Sequence, residues 1–182
     1  MENALRTLVL FALAGAAVSA GAWFVAWRLD PRRRLRRAMR RVTGREPDSE
    51  AISPAQGRAL GLDLENAGLV ILWDVGASGL IFRFDEIEGA ELIVDGEVKA
   101  SVRRGEPVRA LDRIDPLADS VCLRLMFDTP RWPEFELDLN EAPGASEEAL
   151  REGRRWLAQL AAVLRRTERA RARAEAESAA QA

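Results

Sequence analysis

The sequence predicts an α+β protein: a single N-terminal transmembrane helix, then an antiparallel β-barrel of about seven strands capped by a C-terminal α-helix. Three observations predict it. Leu8 to Trp27 is a run of twenty residues without a charge. From Ala59 to Leu139 apolar residues recur with period two, in short runs divided by turn residues. After Ser146 the period becomes that of a helix. The segments that follow are 1–28, a transmembrane anchor; 29–43, a basic juxtamembrane amphipathic helix; 44–58, a linker; 59–166, the barrel and its helix; and 167–182, a disordered or frayed helical tail.

A helix over Leu8–Trp27 would be roughly 30 Å long, the thickness of a bilayer core. Trp23 and Trp27 stand one turn apart at its end, where an interfacial aromatic belt belongs. Positive charge follows it: nine arginines and Asp30 within residues 28–45 leave that stretch at +8. Residues 1–27 cancel, so with a whole-chain charge of −2 everything from Glu46 onward carries −10. Arginine massed behind an apolar run stays on the cytoplasmic side. Heavy arginine and alanine usage beside a single lysine, Lys99, suggests a GC-rich bacterial genome. The expected address is a bacterial inner membrane, single-pass, N-terminus outside and domain cytoplasmic. The rival reading is a signal peptide cleaved after Ala-Val-Ser-Ala, before Gly21, which would export the domain. Small residues at four-residue spacing (Ala12, Ala16, Ala20; Gly15, Ser19; Ala17, Gly21) permit a homodimer through the span.

Asp30 followed by Pro31 is an N-cap and first helical position. Leu35, Ala38, Met39 and Val42 then fall on one helical face among arginines. Such a helix can lie among lipid headgroups, with each arginine near an anionic leaflet worth roughly 1 kcal/mol. The expected membrane-interface residues are Trp23, Trp27, Arg28, Arg32, Arg33, Arg34, Leu35, Arg36, Arg37, Met39, Arg40 and Arg41. Their expected partner is an anionic lipid headgroup layer near Arg28–Arg45. Nucleic acid is not expected, because no aromatic residue is interleaved for base stacking. Residues 44–58 mix Pro, Gly, Ser and acid without a period, and read as a flexible tether.

Beyond Ala59, Leu60 and Leu62 alternate with small and polar residues, and Glu65-Asn66-Ala67-Gly68 turns the chain. Leu69–Trp73 is a continuous apolar run fit for a buried strand. Leu80, Phe82 and Phe84 share a face; Asp95-Gly96 is a type I′ hairpin pair. Val98 to Val102, Val121 to Phe127 and Phe135 to Leu139 alternate in turn, with Gly105–Ala118 read as a long loop. Ser146 is a candidate N-cap, with Glu147 and Glu148 in the first turn. Leu150, Trp156, Leu157, Leu160, Val163 and Leu164 make one apolar face to cover an open barrel end.

The run Phe84–Gly96, with Lys99, Arg104-Gly105 and a Trp-bearing final helix, resembles the bacterial PH-like domains of small membrane-anchored proteins. The resemblance covers roughly residues 59–165 and implies a PH-like barrel, with no agreed activity to carry over. At the first hairpin, where a PH domain that reads inositol lipids places lysines and arginines, this chain has Glu65-Asn66-Ala67-Gly68.

No glycine-rich phosphate loop, metal-ligand cluster or catalytic triad is visible, and there is no histidine. No cofactor, metal or catalytic residue is therefore expected. Cys122 reads as an ordinary strand residue. Glu134, Glu136 and Asp138 share one strand face, read as solvated, with Arg124 near Glu136 if the region is a hairpin. Arg103 and Arg104, with Arg109 and Arg113 nearby, and Trp132 between Pro130 and Pro133, are the candidates for an unknown protein partner. The function expected is a membrane-anchored cytoplasmic binding or scaffolding module, not an enzyme. The alternative is an exported envelope factor.

Overall fold

Leu69–Trp73 has no polar alternation because its strand is covered on both faces, and that double covering organises the fold. The computed structural model describes residues 15–24, 27–28, 30–107, 109, 118–140 and 146–181. Helix α1 is Pro31–Thr43. Strands β1 (Ser49–Ser53), β2 (Arg58–Asp63), β3 (Gly68–Trp73) and β4 (Ser78–Arg83) form one antiparallel meander. Strands β5 (Ile87–Val94), β6 (Glu97–Arg103), β7 (Val121–Phe127) and β8 (Glu134–Asp138) form a second sheet in the order β6-β5-β7-β8. Helix α2 runs from Ser146 to Gln181. At 36 residues it is about 54 Å long.

The main core joins both sheets and α2. Leu60, Leu62, Leu69 and Ile71 of the first sheet meet Leu92, Leu123, Leu125 and Leu137 of the second, with Trp156, Leu160 and Leu164 of α2. Phe82 and Phe127 stack across the sheets, ring centroids 3.8 Å apart. A second, smaller core lies on the other face of the first sheet. There Leu35 and Met39 of α1 pack on Ala59, Val70 and Leu72. Period two sends alternate β3 residues to opposite faces, so Leu69 and Ile71 serve one core while Val70 and Leu72 serve the other.

Three expectations are corrected. The sheets do not close into a barrel. The 3-10 turn Phe84–Glu86 separates β4 from β5, and the other seam is left open, bridged only by side chains. Arg58 Nη1 donates to the Glu136 carbonyl at 2.8 Å, and the Asp138 N–H donates to Gln56 Oε1 at 3.0 Å. These bonds satisfy backbone groups on the β8 edge with side chains where a closed barrel would use a neighbouring strand. Among the described residues the strands number eight. Residues 44–58, read as a tether, contain β1, which pairs with β2 from Ser49↔Leu62 to Ser53↔Arg58.

The predicted membrane span is the third correction. Residues 15–24 and 27–28 are helical, and Leu8–Ala14, Val25 and Ala26 lie outside the described residues. Among the described residues no helix is long and apolar enough to cross a membrane. The single-pass anchor in an inner membrane, and the orientation deduced from it, are overturned on that finding. The small-residue spacing in Gly15–Gly21 lies on exposed helix surface.

The tail expected to fray continues as helix to Gln181. Its root is tied down: Gly105 N donates to Glu168 Oε1 at 2.6 Å, and Arg171 Nη2 to the Asp85 carbonyl at 2.9 Å.

Candidate functional site

Two surfaces are built by this scaffold, an arginine face on α1 and an aromatic groove at the open seam. The first begins with local helix chemistry. Asp30 caps α1 through Arg32 N at 3.0 Å, Pro31 opens it, and Gly44 ends it at φ 74°. Glycine suits that left-handed position because it has no Cβ to clash. The apolar stripe of α1 then binds the first sheet. Leu35 is 0% exposed and Met39 1%. At about 1.5–3 kcal/mol each for full burial, these two contacts fix the helix to the sheet. Gly76, at φ 81°, lets the Asp74–Gly76 turn approach α1 closely; a Cβ there would lie 2.6 Å from Ala38 Cβ.

The structure therefore divides the residues expected at a lipid interface. Leu35 and Met39 are core. Arg33, Arg34, Arg36, Arg37, Arg40 and Arg41 are exposed, as are Trp23, Trp27 and Arg28. Arg33 lies over the Trp27 ring, 4.5 Å from its centroid, and Phe24 stacks on Trp27 at 6.1 Å. Arg36 pairs with Glu50 at 2.6 Å and Arg40 pairs with Glu46. Among the described residues Arg34, Arg37 and Arg41 have no acidic partner. A concave surface of about 780 Å³ is lined by Trp27, Arg28, Asp30, Arg32, Arg33, Arg36, Arg37 and Arg40. It can hold anions by guanidinium hydrogen bonds and charge.

Past Gly44, Arg45 locks the helix exit to β2. It reaches Asp63 Oδ1 at 2.8 Å, Asp48 Oδ2 at 3.0 Å and Glu65 Oε2 at 3.2 Å. Burial pushes the Asp63 carboxyl up, but hydrogen bonds from Arg45 and Asn66 outweigh it and hold it down at about 2.

The arginines singled out near the hairpin loop have internal duties. Arg103 donates to Glu91 at 2.9 Å, and Arg124 reaches both Glu91 at 3.3 Å and Glu136 at 2.6 Å. This ladder crosses all four strands of the second sheet, with Arg124 opposite Glu136 in register. Arg104 donates to the carbonyls of Phe84 and Ile87 and to Thr167 Oγ1, tying the Phe84–Glu86 turn to α2. Burial, then the charge of Arg171, pulls Arg104 below the usual arginine value. Arg109 bridges to Ser101, and Arg113 lies outside the described residues. Cys122 is pushed up to about 11 by burial and by the charges of Glu136 and Asp138, so its thiolate is scarce at neutral pH. Among the described residues no three His, Cys, Asp or Glu side chains are grouped to hold a metal ion.

Trp132 has a partner the sequence did not suggest. Its ring meets Trp73 at 5.2 Å, tilted 36°. The two line a groove of about 530 Å³ with Gln56, Arg58, Ile71, Asp74, Glu134, Phe135 and Glu136. Trp73 was visible only as the end of an apolar run. Its pairing depends on how the two sheets meet, and period two carries no information about that. No family model, curated protein or solved structure matches this chain.

Proposed function

We propose that the protein is a non-catalytic scaffolding module whose α1 arginine face rests on anionic lipid headgroups. The observation that carries this reading is that Leu35 and Met39 of α1 are already occupied by the first sheet, which leaves guanidinium groups, with Val42 at the helix end and Trp23, Phe24 and Trp27 before it, as the outward chemistry. A contact of this kind is electrostatic and stays at headgroup depth. It needs no spanning helix and does not bury α1 in the acyl layer. Roughly 1 kcal/mol per basic residue near an anionic surface gives several kcal/mol from this face at low ionic strength. Salt should weaken the contact steeply, because exposed charges are screened within about 10 Å at 0.1 M.

The test is flotation of the full chain with vesicles of equimolar phosphatidylcholine and phosphatidylglycerol. Arg37→Glu/Arg41→Glu reverses two charges that support no internal pair, and binding should fall at least about tenfold. Equal binding to pure phosphatidylcholine, or indifference to the double variant, would sink the proposal.

A further inference from the structure

We infer that the open seam between the sheets is a second binding site, in which Trp73 and Trp132 receive an arginine side chain from a basic peptide segment of a partner protein. The groove of about 530 Å³ lies where β8 fails to close on the first sheet, and six residues carry its chemistry: Gln56, Arg58, Trp73, Asp74, Trp132 and Glu134.

Three features select the occupant. The first is ring geometry. Trp73 and Trp132 touch each other at 5.2 Å and are tilted, so they do not form a box around a rounded ammonium. They offer outer faces, and Trp132 is 40% exposed. A planar guanidinium stacks on such a face, drawn by the negative potential of the indole. The groove already displays this contact internally: the Arg58 guanidinium sits 5.7 Å over the Phe135 ring. The second feature is charge. Asp74, Glu134 and Glu136 line the groove against Arg58. Among the described residues the Asp74 carboxylate has no ion-pair partner. Glu134 is 60% exposed and has only Arg124, at 3.7 Å. Its rim is therefore net acidic and suits a cation. The third is the sheet edge. Gln56 and Arg58 occupy the β8 backbone groups, so a partner segment cannot enter by adding a strand. It must bind through side chains.

The backbone is arranged to present these groups. Asp74 and Val75 both hold left-handed φ, 52° and 54°, a conformation unusual for an aspartate and rarer for a β-branched residue. Val75 N donates to the Gly57 carbonyl at 2.9 Å, which holds the turn in place. Trp132 is set in its own turn by a bond from its N–H to the Thr129 carbonyl at 3.2 Å.

The experiment titrates the full chain with acetyl-Gly-Arg-Gly-amide while following the indole N–H resonances of Trp73 and Trp132. The citrulline counterpart, equal in shape and neutral, is the control. The arginine peptide should shift both indoles and bind about tenfold tighter than the citrulline peptide. Trp132→Ala, a change at an exposed ring, should abolish the shift at Trp73. Asp74→Asn keeps a residue that tolerates left-handed φ and removes only the charge, and should weaken binding about threefold. Equal binding of the citrulline peptide overturns the inference, as does tighter binding of tetramethylammonium or of a proline-rich peptide. Retained binding by Trp132→Ala overturns it as well. None of these readouts involves vesicles, so failure here leaves the headgroup proposal standing.

Discussion

Helices α1 and α2 are alike in pattern and unequal in what they hold. Each has one apolar face and a surface full of arginine. The α1 stripe is narrow, Leu35 and Met39 with Ala38 beside them, and it covers three sheet residues. The α2 stripe runs from Ala149 to Leu164 and completes the core shared by both sheets. The difference teaches that an apolar stripe identifies the buried face of a helix and is silent about what buries it. For α2 the counterpart was a sheet, as expected. For α1 a lipid surface and a sheet face were equally compatible with the spacing, and the sheet took it. The consequence is functional: α1 became a rigid stand for its arginines.

The comparison breaks most visibly at Trp156. That ring is 0% exposed and sits in the shared core, so Trp156→Ala should cost about 4 kcal/mol in urea unfolding. Trp156→Phe is the informative companion. Among the described residues the buried indole Nε1 has no hydrogen-bond partner, so phenylalanine removes an unsatisfied donor along with some volume. Its cost should be much smaller, about 1 kcal/mol. Equal losses for the two variants would show that the ring volume kept by phenylalanine contributes nothing there and that the site requires the indole itself.

Damage to the smaller core should be lesser and local. Leu35→Ala should cost about 2–3 kcal/mol, since the site can collapse partly toward solvent. Gly76→Ala should cost about 1–2 kcal/mol through left-handed strain and the clash with Ala38. Amide exchange should accelerate in α1 for both variants while α2 between Leu150 and Leu164 keeps its protection. Matching acceleration in both helices would mean that the layers unfold as one unit.

Much of the strand layout was legible because it depends on local pattern. The alternating segments and the continuous run Leu69–Trp73, read as strands, became strands of the two sheets. Asp95 and Gly96 both take positive φ, 50° and 80°, as a type I′ pair requires. Asp30 and Pro31 cap α1 as their order implied. Arg124 faces Glu136, as a hairpin through Pro130 and Pro133 demands. What was not legible is non-local. Ser49–Ser53 reads SEAIS, too polar to announce a strand, and becomes β1 only because β2 offers it an edge. The order β6-β5-β7-β8 depends on β5 pairing with β7 as well as with its chain neighbour β6. The seam stays open because Gln56 and Arg58, unremarkable in sequence, reach the β8 backbone. The aromatic groove inherits that difficulty, since Trp73 and Trp132 meet only once the sheets are placed.

The smallest effect expected is a titration, and it sharpens where α1 is joined to its sheet. Arg45, just beyond the helix, is held by Asp63 at 2.8 Å, with Asp48 and Glu65 facing the same guanidinium. Asp63 is held at about 2, below the ordinary 3.8. A carboxylate depressed by folding stabilises the native state fully above its unfolded value. That contribution fades as pH falls from about 3.8 toward 2, because protonation then favours the unfolded chain. Arginine keeps its charge throughout, so the sign is unambiguous: acid loosens this corner. The urea midpoint should decline through that window, and amides of α1 should lose protection before those of α2. In Asp63→Asn the group that titrates is gone, so the decline should flatten over the same range. An unchanged pH profile in that variant would assign the acid sensitivity to other carboxylates.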